Sequence, residues 1–277
     1  MLRAAERDPA LRLRVASAAV LAPLILALIA LGGWAFALLL AAALVLMADE
    51  WRALTKIRLG GDVGAIIAAM VAFGVPLAAL VAAARGVPQN GLALLAVGAP
   101  LAAMLAWWWR LPPLWIGLGV VYLGLPLIAL VWLRSTEPGL VVILWLFAVV
   151  WSADIGAYFV GRRLGGPRLA PRISPGKTWS GFLGSILIAA LTGLIVALAT
   201  DAARPVAAAT MGAGLAIIAQ AGDLAESALK RRAGVKDTSS LIPGHGGLLD
   251  RVDGLLFAAP ALALAGLLLA PGAWPWR

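Results

Sequence analysis

Residues 180–200 have the sequence SGFLGSILIAALTGLIVALAT, which contains no charged side chain. A helix of about 20 apolar residues is long enough to cross the hydrocarbon core of a bilayer. The strands of a membrane barrel are only about 10 residues long and alternate between polar and apolar positions. The stretch therefore predicts a membrane-spanning helix and argues against a barrel.

Stretches of the same kind recur along the 277-residue chain. We expect an all-α, polytopic integral membrane protein in which residues 1–277 form a single transmembrane domain. The nine candidate spans are residues 15–31, 33–48, 63–84, 91–109, 114–133, 139–158, 180–200, 206–225 and 254–270.

The composition excludes other classes of protein. Hydrophobic residues make up 63% of the chain and charged residues 13%, whereas soluble domains carry roughly 25% charged residues. The chain also has no cysteine. This excludes a disulfide framework, a thiolate nucleophile and a cysteine-based zinc site.

The net charge of +9 indicates either a nucleic-acid partner or a topology signal. With the N-terminus placed in the cytoplasm, 18 of the 22 Lys and Arg residues lie on the cytoplasmic side. Cytoplasmic loops of membrane proteins carry this excess. The pattern therefore predicts a cytoplasmic N-terminus, insertion in the cytoplasmic (inner) membrane and no nucleic-acid partner. The four exceptions are Arg85, Arg134, Arg204 and Arg277.

The acidic residues form two groups. Seven lie in tails or at span ends, where water reaches them; among these, Asp49 and Glu50 beside Trp51 are typical of an interfacial anchor. The other six flank two polar loops, residues 159–179 and 226–253, which are cytoplasmic in this topology. These six are Asp154, Asp223, Glu226, Asp237, Asp250 and Asp253.

Two pairs of these acids are spaced to share a helical face. Asp223 and Glu226 stand three residues apart, and Asp250 and Asp253 repeat the spacing. Clustered carboxylates repel one another unless a cation joins them, and oxygen ligands without cysteine favour Mg²⁺. Ordinary salt bridges with the Lys and Arg residues of the same loops are the alternative, and spacing alone leaves both open.

Lysine and glycine usage points to phosphate binding in the same loops. The chain has only four lysines, and Lys177, Lys230 and Lys236 lie in these loops. A lysine kept where arginine is the usual cation indicates a specific role, such as binding a phosphate.

Two glycine-containing segments accompany these lysines. Gly176-Lys177-Thr178 resembles the end of a P-loop, but the upstream glycine and the preceding strand are missing, so we reject that motif. We expect Thr178 or Ser180 to cap the following helix, with backbone N–H groups facing an anion. His245, the single histidine, stands between glycines, and both a structural and a ligand-binding role stay open.

These residues belong to longer, ordered motifs. The downstream motifs are Ser227-Ala228-Leu229-Lys230-Arg231, Lys236-Asp237 and Pro243-Gly244-His245-Gly246-Gly247-Leu248-Leu249-Asp250-Arg251-Val252-Asp253. The upstream motifs are Asp154-Ile155-Gly156-Ala157-Tyr158, Gly161-Arg162 and Ser174-Pro175-Gly176-Lys177-Thr178-Trp179. From Trp151 onward, the chain resembles the phosphatidate cytidylyltransferases, also called CDP-diacylglycerol synthases. The first half matches that family only as a set of spans.

The resemblance implies a nucleotidyltransferase of phospholipid biosynthesis, which transfers a cytidylyl group from CTP to phosphatidic acid and releases pyrophosphate. It implies Mg²⁺ bound by Asp223 and Asp250, and it allows a second, monovalent cation such as K⁺ and a homodimer. The catalytic region is then formed by residues 151–180 and 220–254 on the cytoplasmic side.

The resemblance and the residue chemistry together give the candidate site residues. The catalytic candidates are Asp223, Asp250, Lys230, Lys236 and Arg251. The substrate-binding candidates are Asp154, Ser174, Lys177, Thr178, Ser227, Arg231, Asp237, Gly244, His245, Gly246, Gly247 and Asp253.

Two other functions use similar features. An ion-coupled transporter also contains intramembrane acids, but near the midplane and often in repeated halves. Here the six acids flank loops on one side, and no repeat is visible. A CTP-dependent lipid kinase of the polyprenol type shares the nucleotide and the membrane setting, and only its products distinguish it.

Overall fold

The computed structural model describes residue 19 and residues 22–57, 63–241, 246–269 and 274–276. Within these residues, eight helices are long and apolar enough to cross a membrane. The prediction of an all-α polytopic membrane protein is therefore confirmed. The helices are α1 (Ala22–Leu31), α2 (Gly33–Leu54), α3 (Val63–Ala84), α4 (Pro88–Trp108), α5 (Pro113–Ser135), α6 (Gly139–Leu164), α7 (Trp179–Ala199), α8 (Pro205–Ala233) and α9 (Leu249–Leu268).

The nine predicted spans correspond to these nine helices, of which the first is described only in part. The predicted span 15–31 begins outside the described residues, and its described helix, α1, is shorter than 18 residues. The predicted length of this first span therefore stays a prediction.

The polar ends of three helices differ from the prediction. Helix α6 continues to Leu164 and α8 to Ala233, whereas the apolar pattern predicted ends at residues 158 and 225. Helix α9 begins at Leu249, five residues before the predicted start. Hydropathy marks only the apolar part of a helix, and basic residues in a last turn stabilise the helix through its dipole. Arg162 and Lys230 are therefore helical residues rather than loop residues.

The loop between α6 and α7 contains two short strands that the sequence did not predict. Strand β1 (Arg168–Ala170) pairs antiparallel with β2 (Ser174–Thr178), with Arg168 opposite Thr178. The backbone N–H of Trp179 donates to the carbonyl of Pro167 at 3.0 Å. This bond fixes the start of α7 against the hairpin.

The chain divides into two compact units. The first is formed by the described residues of Met1–Val131 and Ala233–Val252, and the second by those of Trp132–Arg232 and Asp253–Arg277. The single transmembrane domain expected from the sequence stays a prediction.

In the first unit, Trp51 joins α2 to α5. Its indole N–H donates to the Trp115 carbonyl at 3.0 Å, and its ring lies 4.8 Å from that of Tyr122. Trp51 is 7% exposed, so most of its apolar ring is removed from solvent or lipid. These contacts fix the C-terminal end of α2.

In the second unit, α6 and α7 pack closely because small residues face each other. A Cβ on Gly181 would lie 2.7 Å from the carbonyl oxygen of Ala157 and 3.3 Å from Cα of Gly161. Membrane helices commonly use such residues to bring their backbones together. The close approach places the C-terminal part of α6 beside the N-terminus of α7.

We expect Gly181→Val to destabilise the protein by about 1–3 kcal/mol, because the added atoms overpack the contact between α6 and α7. Thermal unfolding in detergent measures the effect as a lower Tm. Gly214→Ala is the matched control, since a Cβ on Gly214 meets nothing within 4 Å. An unchanged Tm for Gly181→Val would contradict the close packing.

Candidate active site

A cavity of about 710 Å³ lies within the second unit, where α6, the hairpin, α7 and α8 meet. Its size is in the range of pockets that bind small molecules, about 300–1,000 Å³. Five residues that the sequence analysis selected line this cavity: Asp154, Ser174, Lys177, Thr178 and Asp223. The sequence analysis did not select Tyr158, Arg162, Arg168 or Gln220 as binding residues, and these also line it.

An ion pair between Lys177 and Asp223 lies at this cavity. The Lys177 ammonium pairs with Asp223 Oδ2, and the two side chains are 19% and 25% exposed. The hydroxyl of Ser227 donates to Asp223 Oδ1 at 3.2 Å, one turn further along α8. These two contacts orient the carboxylate of Asp223.

Asp154 lies on α6 at the same cavity and is exposed. The side-chain amide of Gln220 lies 3.5 Å from Asp154 Oδ1, at the limit of hydrogen bonding. Gln220 precedes Asp223 by three residues on α8, so both side chains share one helical face. A lone amide in an apolar span is the sequence signal that could have identified Gln220.

Three basic side chains line the cavity besides these acids. Arg162 donates to the hydroxyl of Tyr158 at 2.6 Å and stacks on its ring at 5.8 Å. Arg168 donates to the carbonyl of Gly176 at 3.3 Å, so it joins β1 to β2. Both arginines are exposed, and Lys177 is the third cation. The cavity can therefore attract an anionic ligand.

The N-terminus of α7 differs in part from the expectation. Thr178 caps the helix as predicted, because its hydroxyl accepts a hydrogen bond from the N–H of Gly181 at 3.1 Å. However, the N–H of Gly181 is thereby used, and that of Trp179 donates to Pro167. Two backbone donors that were expected to face an anion thus have partners within the protein.

Two more carboxylates of the second unit lie near Asp223. Glu226 is buried, and its Oε1 lies 3.1 Å from the ammonium of Lys230 one turn later. Asp253 lies close enough to Asp223, Glu226 and Asp154 for the carboxyl groups to interact electrostatically. Lys230, a predicted catalytic residue, is therefore held by an ion pair. Arg231 donates to the carbonyl of Ile173 at 3.2 Å and contacts the hairpin.

In the first unit, Asp250 lies in the first turn of α9 and orients the segment that precedes it. Its Oδ2 accepts from the N–H of Thr238 at 2.8 Å, the hydroxyl of Thr238 at 2.9 Å and the N–H of Gly247 at 2.9 Å. Three donors on one oxygen fix the direction of this carboxylate. The predicted residues Lys236, Asp237 and Arg251 are exposed in the same unit.

Glu50 was expected to be a solvated anchor charge, and this prediction is wrong. The residue is 3% exposed and accepts hydrogen bonds from Ser239, Leu248 and Leu249. Its neighbour Asp49 fits the expectation, because its side chain is 72% exposed and pairs with Arg52 at 2.7 Å. The two adjacent acids differ because they lie on different faces of α2.

Within the described residues, no three His, Asp or Glu side chains form a group that could hold a metal ion. Gly244 and His245 lie outside the described residues. Gly246 lies next to Asp250, because a Cβ on Gly246 would be 3.1 Å from Asp250 Oδ2.

The chain is similar in sequence to known proteins. A family model described as the cytidylyltransferase family matches residues 12–269. The chain belongs to this cytidylyltransferase family. The match includes the cavity of the second unit and the segment that holds Asp250 in the first. The comparisons support neither the transporter nor the lipid kinase.

Three relatives named phosphatidate cytidylyltransferase illustrate the similarity. The protein from Pseudomonas aeruginosa is 36% identical over 275 residues, which cover 91% of this chain and 96% of the relative. The protein from Brucella suis is 49% identical over 170 residues, which cover 61% of this chain and 63% of the relative. The protein from Bacillus subtilis is 42% identical over 149 residues, which cover 53% of this chain and 55% of the relative.

Proposed function

We propose that this member of the cytidylyltransferase family transfers the cytidylyl group of CTP to phosphatidic acid. The products are CDP-diacylglycerol and pyrophosphate, as in phospholipid biosynthesis. The observation that carries the proposal is the cavity of the second unit, which combines Arg162, Arg168 and Lys177 with the carboxylates of Asp154 and Asp223. Cations suit the phosphates of both substrates. The names of the relatives support the choice of substrates.

The chemistry requires little proton transfer. A phosphate monoester has a second pKa of about 6, so phosphatidic acid is mostly a dianion at neutral pH. One of its phosphate oxygens bonds to the α-phosphorus of CTP, and the bond from that phosphorus to the β-phosphate oxygen breaks. Pyrophosphate takes the electron pair and leaves. The protein must therefore bring two anions together and stabilise the leaving group.

The side chains of the cavity suit these two tasks. Lys177 is a compact point charge between the hairpin and α8, and we assign it to a phosphate of CTP. Arg162 and Arg168 are exposed at the same cavity, and their planar guanidinium groups can bind phosphate oxygens in pairs. Ser174 and Thr178 complete the proposed polar lining. Arg251 and Lys236 of the first unit stay predicted phosphate-neutralising residues.

We further propose Mg²⁺ as the cofactor; the sequence predicts Asp223, in the second unit, and Asp250, in the first, as candidate carboxylate ligands. The donor chemistry fits, because Mg²⁺ prefers oxygen ligands and is commonly held by one or two carboxylates together with substrate phosphates. Asp223 lines the cavity, and Asp250 is oriented by three hydrogen bonds. When bound, Mg²⁺ would neutralise negative charge on the triphosphate. A monovalent ion such as K⁺ is a second candidate cation.

The solubility of the two substrates indicates where the proposed reaction takes place. CTP is soluble and highly charged, whereas phosphatidic acid keeps its acyl chains in the bilayer. The reaction therefore belongs at a membrane surface. The distribution of Lys and Arg supports the cytoplasmic face of the inner membrane.

The test uses purified protein with phosphatidic acid and CTP labelled on either the α- or the γ-phosphate, with and without Mg²⁺. We expect label from α-labelled CTP in the lipid, an equal amount of pyrophosphate, and no lipid label from γ-labelled CTP. Diacylglycerol is the control lipid, since it lacks the attacking phosphate. Lipid label from the γ-phosphate would indicate a kinase, and no labelled lipid at all would refute the transferase.

A further inference from the structure

Four hydrogen-bond donors surround the carboxylate of Glu50. Oε1 accepts from the hydroxyl of Ser239 at 2.7 Å and the N–H of Leu248 at 2.8 Å. Oε2 accepts from the N–H of Leu249 at 2.7 Å and lies 3.2 Å from the hydroxyl of Thr238. Each oxygen thus faces one backbone donor and one hydroxyl.

The position of these donors explains the burial of the charge. Leu248 and Leu249 precede or begin α9, where backbone N–H groups have no partner within the helix. The carboxylate of Glu50 supplies that partner from α2, so it caps α9 in place of a local side chain. A buried carboxylate is tolerated when several donors compensate for lost hydration.

The contact also explains Gly247. A Cβ on Gly247 would lie 2.6 Å from Glu50 Oε1 and closer still to the hydroxyl of Thr238. The backbone at Gly247 therefore lies so close to the carboxylate that only a residue without a side chain fits there. The N–H of the same residue donates to Asp250, so one segment is held by both acids.

Thr238 connects the two carboxylates directly. Its hydroxyl lies 2.9 Å from Asp250 Oδ2 and 3.2 Å from Glu50 Oε2, and its N–H donates to Asp250. The order of contact is Glu50, Thr238, Asp250, with all three in the first unit. A displacement at Glu50 would therefore alter the donors that orient Asp250.

We propose that Glu50 is a positioning residue that holds residues 238–239 and 248–249 against α2 and thereby fixes the direction of the Asp250 carboxylate. This inference rests on the proposed function, in which Asp250 is a metal ligand. Partners that orient a ligand change metal affinity or activity by about 10–100-fold when they are replaced.

Glu50→Gln tests the proposal at nearly constant shape. Glutamine has one acceptor oxygen, and its NH₂ group must then face the N–H of Leu248 or Leu249. We expect kcat to fall by about 10–100-fold and the Mg²⁺ concentration for half-maximal activity to rise by a similar factor. A loss of stability alone would not move the Mg²⁺ dependence.

A second measurement needs neither activity nor metal. Lys236 is exposed, two residues before Thr238. In metal-free detergent solution, we expect trypsin to cleave after Lys236 about 10-fold faster in Glu50→Gln than in the unsubstituted protein. Cleavage at Arg231 and Arg232, in the last turn of α8, is the internal reference. Asp49→Asn is the matched control, since Asp49 is the exposed neighbour, and all rates should stay unchanged.

Ser239→Ala covers the case in which Glu50→Gln does not fold. It removes one hydroxyl donor, and we expect cleavage after Lys236 to accelerate by about 2–10-fold. Unchanged cleavage in the folded variants would overturn the proposal, even if activity fell. If the unsubstituted protein forms no CDP-diacylglycerol, the proposed function fails, while the cleavage rates still decide whether Glu50 positions the segment.

Discussion

Replacing Asp250 with asparagine is expected to lower the rate of CDP-diacylglycerol formation by about 10³-fold while the protein stays folded in detergent. The expected loss corresponds to about 4 kcal/mol of transition-state stabilisation, a reasonable contribution for a carboxylate that holds a catalytic metal. Asparagine keeps the shape of the side chain. Its Oδ1 can accept the same hydrogen bonds from Thr238 and Gly247, so the segment before α9 retains its anchor.

Pyrophosphate release and Tm, measured on the same preparation, separate chemistry from folding. Asp201→Asn is the matched control, because Asp201 is exposed between α7 and α8 and has a positive φ of 50°, which asparagine tolerates. Turnover of Asp250→Asn close to that of the control would refute the assignment of Asp250.

Lys177→Met is expected to lower activity by about 10²-fold and also to destabilise the protein. The first effect follows from removing a fixed cation at the proposed phosphate site. The second follows from leaving Asp223 without its ionic partner. Because the two side chains are 19% and 25% exposed, we expect a loss of about 1–3 kcal/mol, less than for a fully buried pair.

The double variant Lys177→Met/Asp223→Asn separates the two effects. It contains no unpaired charge at this position, so its Tm should recover towards that of the unsubstituted protein, while its activity stays at the background rate. Arg163→Met is the control for lost basic charge, since Arg163 is an exposed residue in the last turn of α6. Activity of Lys177→Met within about 3-fold of this control would exclude Lys177 from the phosphate site.

The sequence predicts those features of the fold that depend on the length of the apolar stretches. The spans could be identified because about 20 apolar residues have few alternatives to a membrane helix. The polar ends of these spans could not be identified, because residues such as Arg162 and Lys230 are compatible with both a helix and a loop. The hairpin at Arg168–Thr178 was also missed, since strands of three and five residues interrupted by proline give no alternating pattern.

The candidate site was also only partly predictable from the sequence. Asp154, Lys177 and Asp223 were selected for their residue type and their place beside polar loops, and they line one cavity. Glu50 was assigned to the solvated acids, because its neighbours in the sequence suggest an interface. Its hydrogen-bond partners are 188–199 residues away. Only the tertiary structure brings these donors to it.

The ion pair at the cavity has a consequence for ligand discrimination. Asp223 pairs with the Lys177 ammonium, so an anion that binds Lys177 must compete with this carboxylate. Inorganic phosphate without a metal ion can pair with Lys177 only if Asp223 loses its opposite charge. A ligand that arrives with its own cation can satisfy both partners at once. For the proposed reaction, we therefore expect Lys177 to favour CTP that carries Mg²⁺ over small anions without a metal ion.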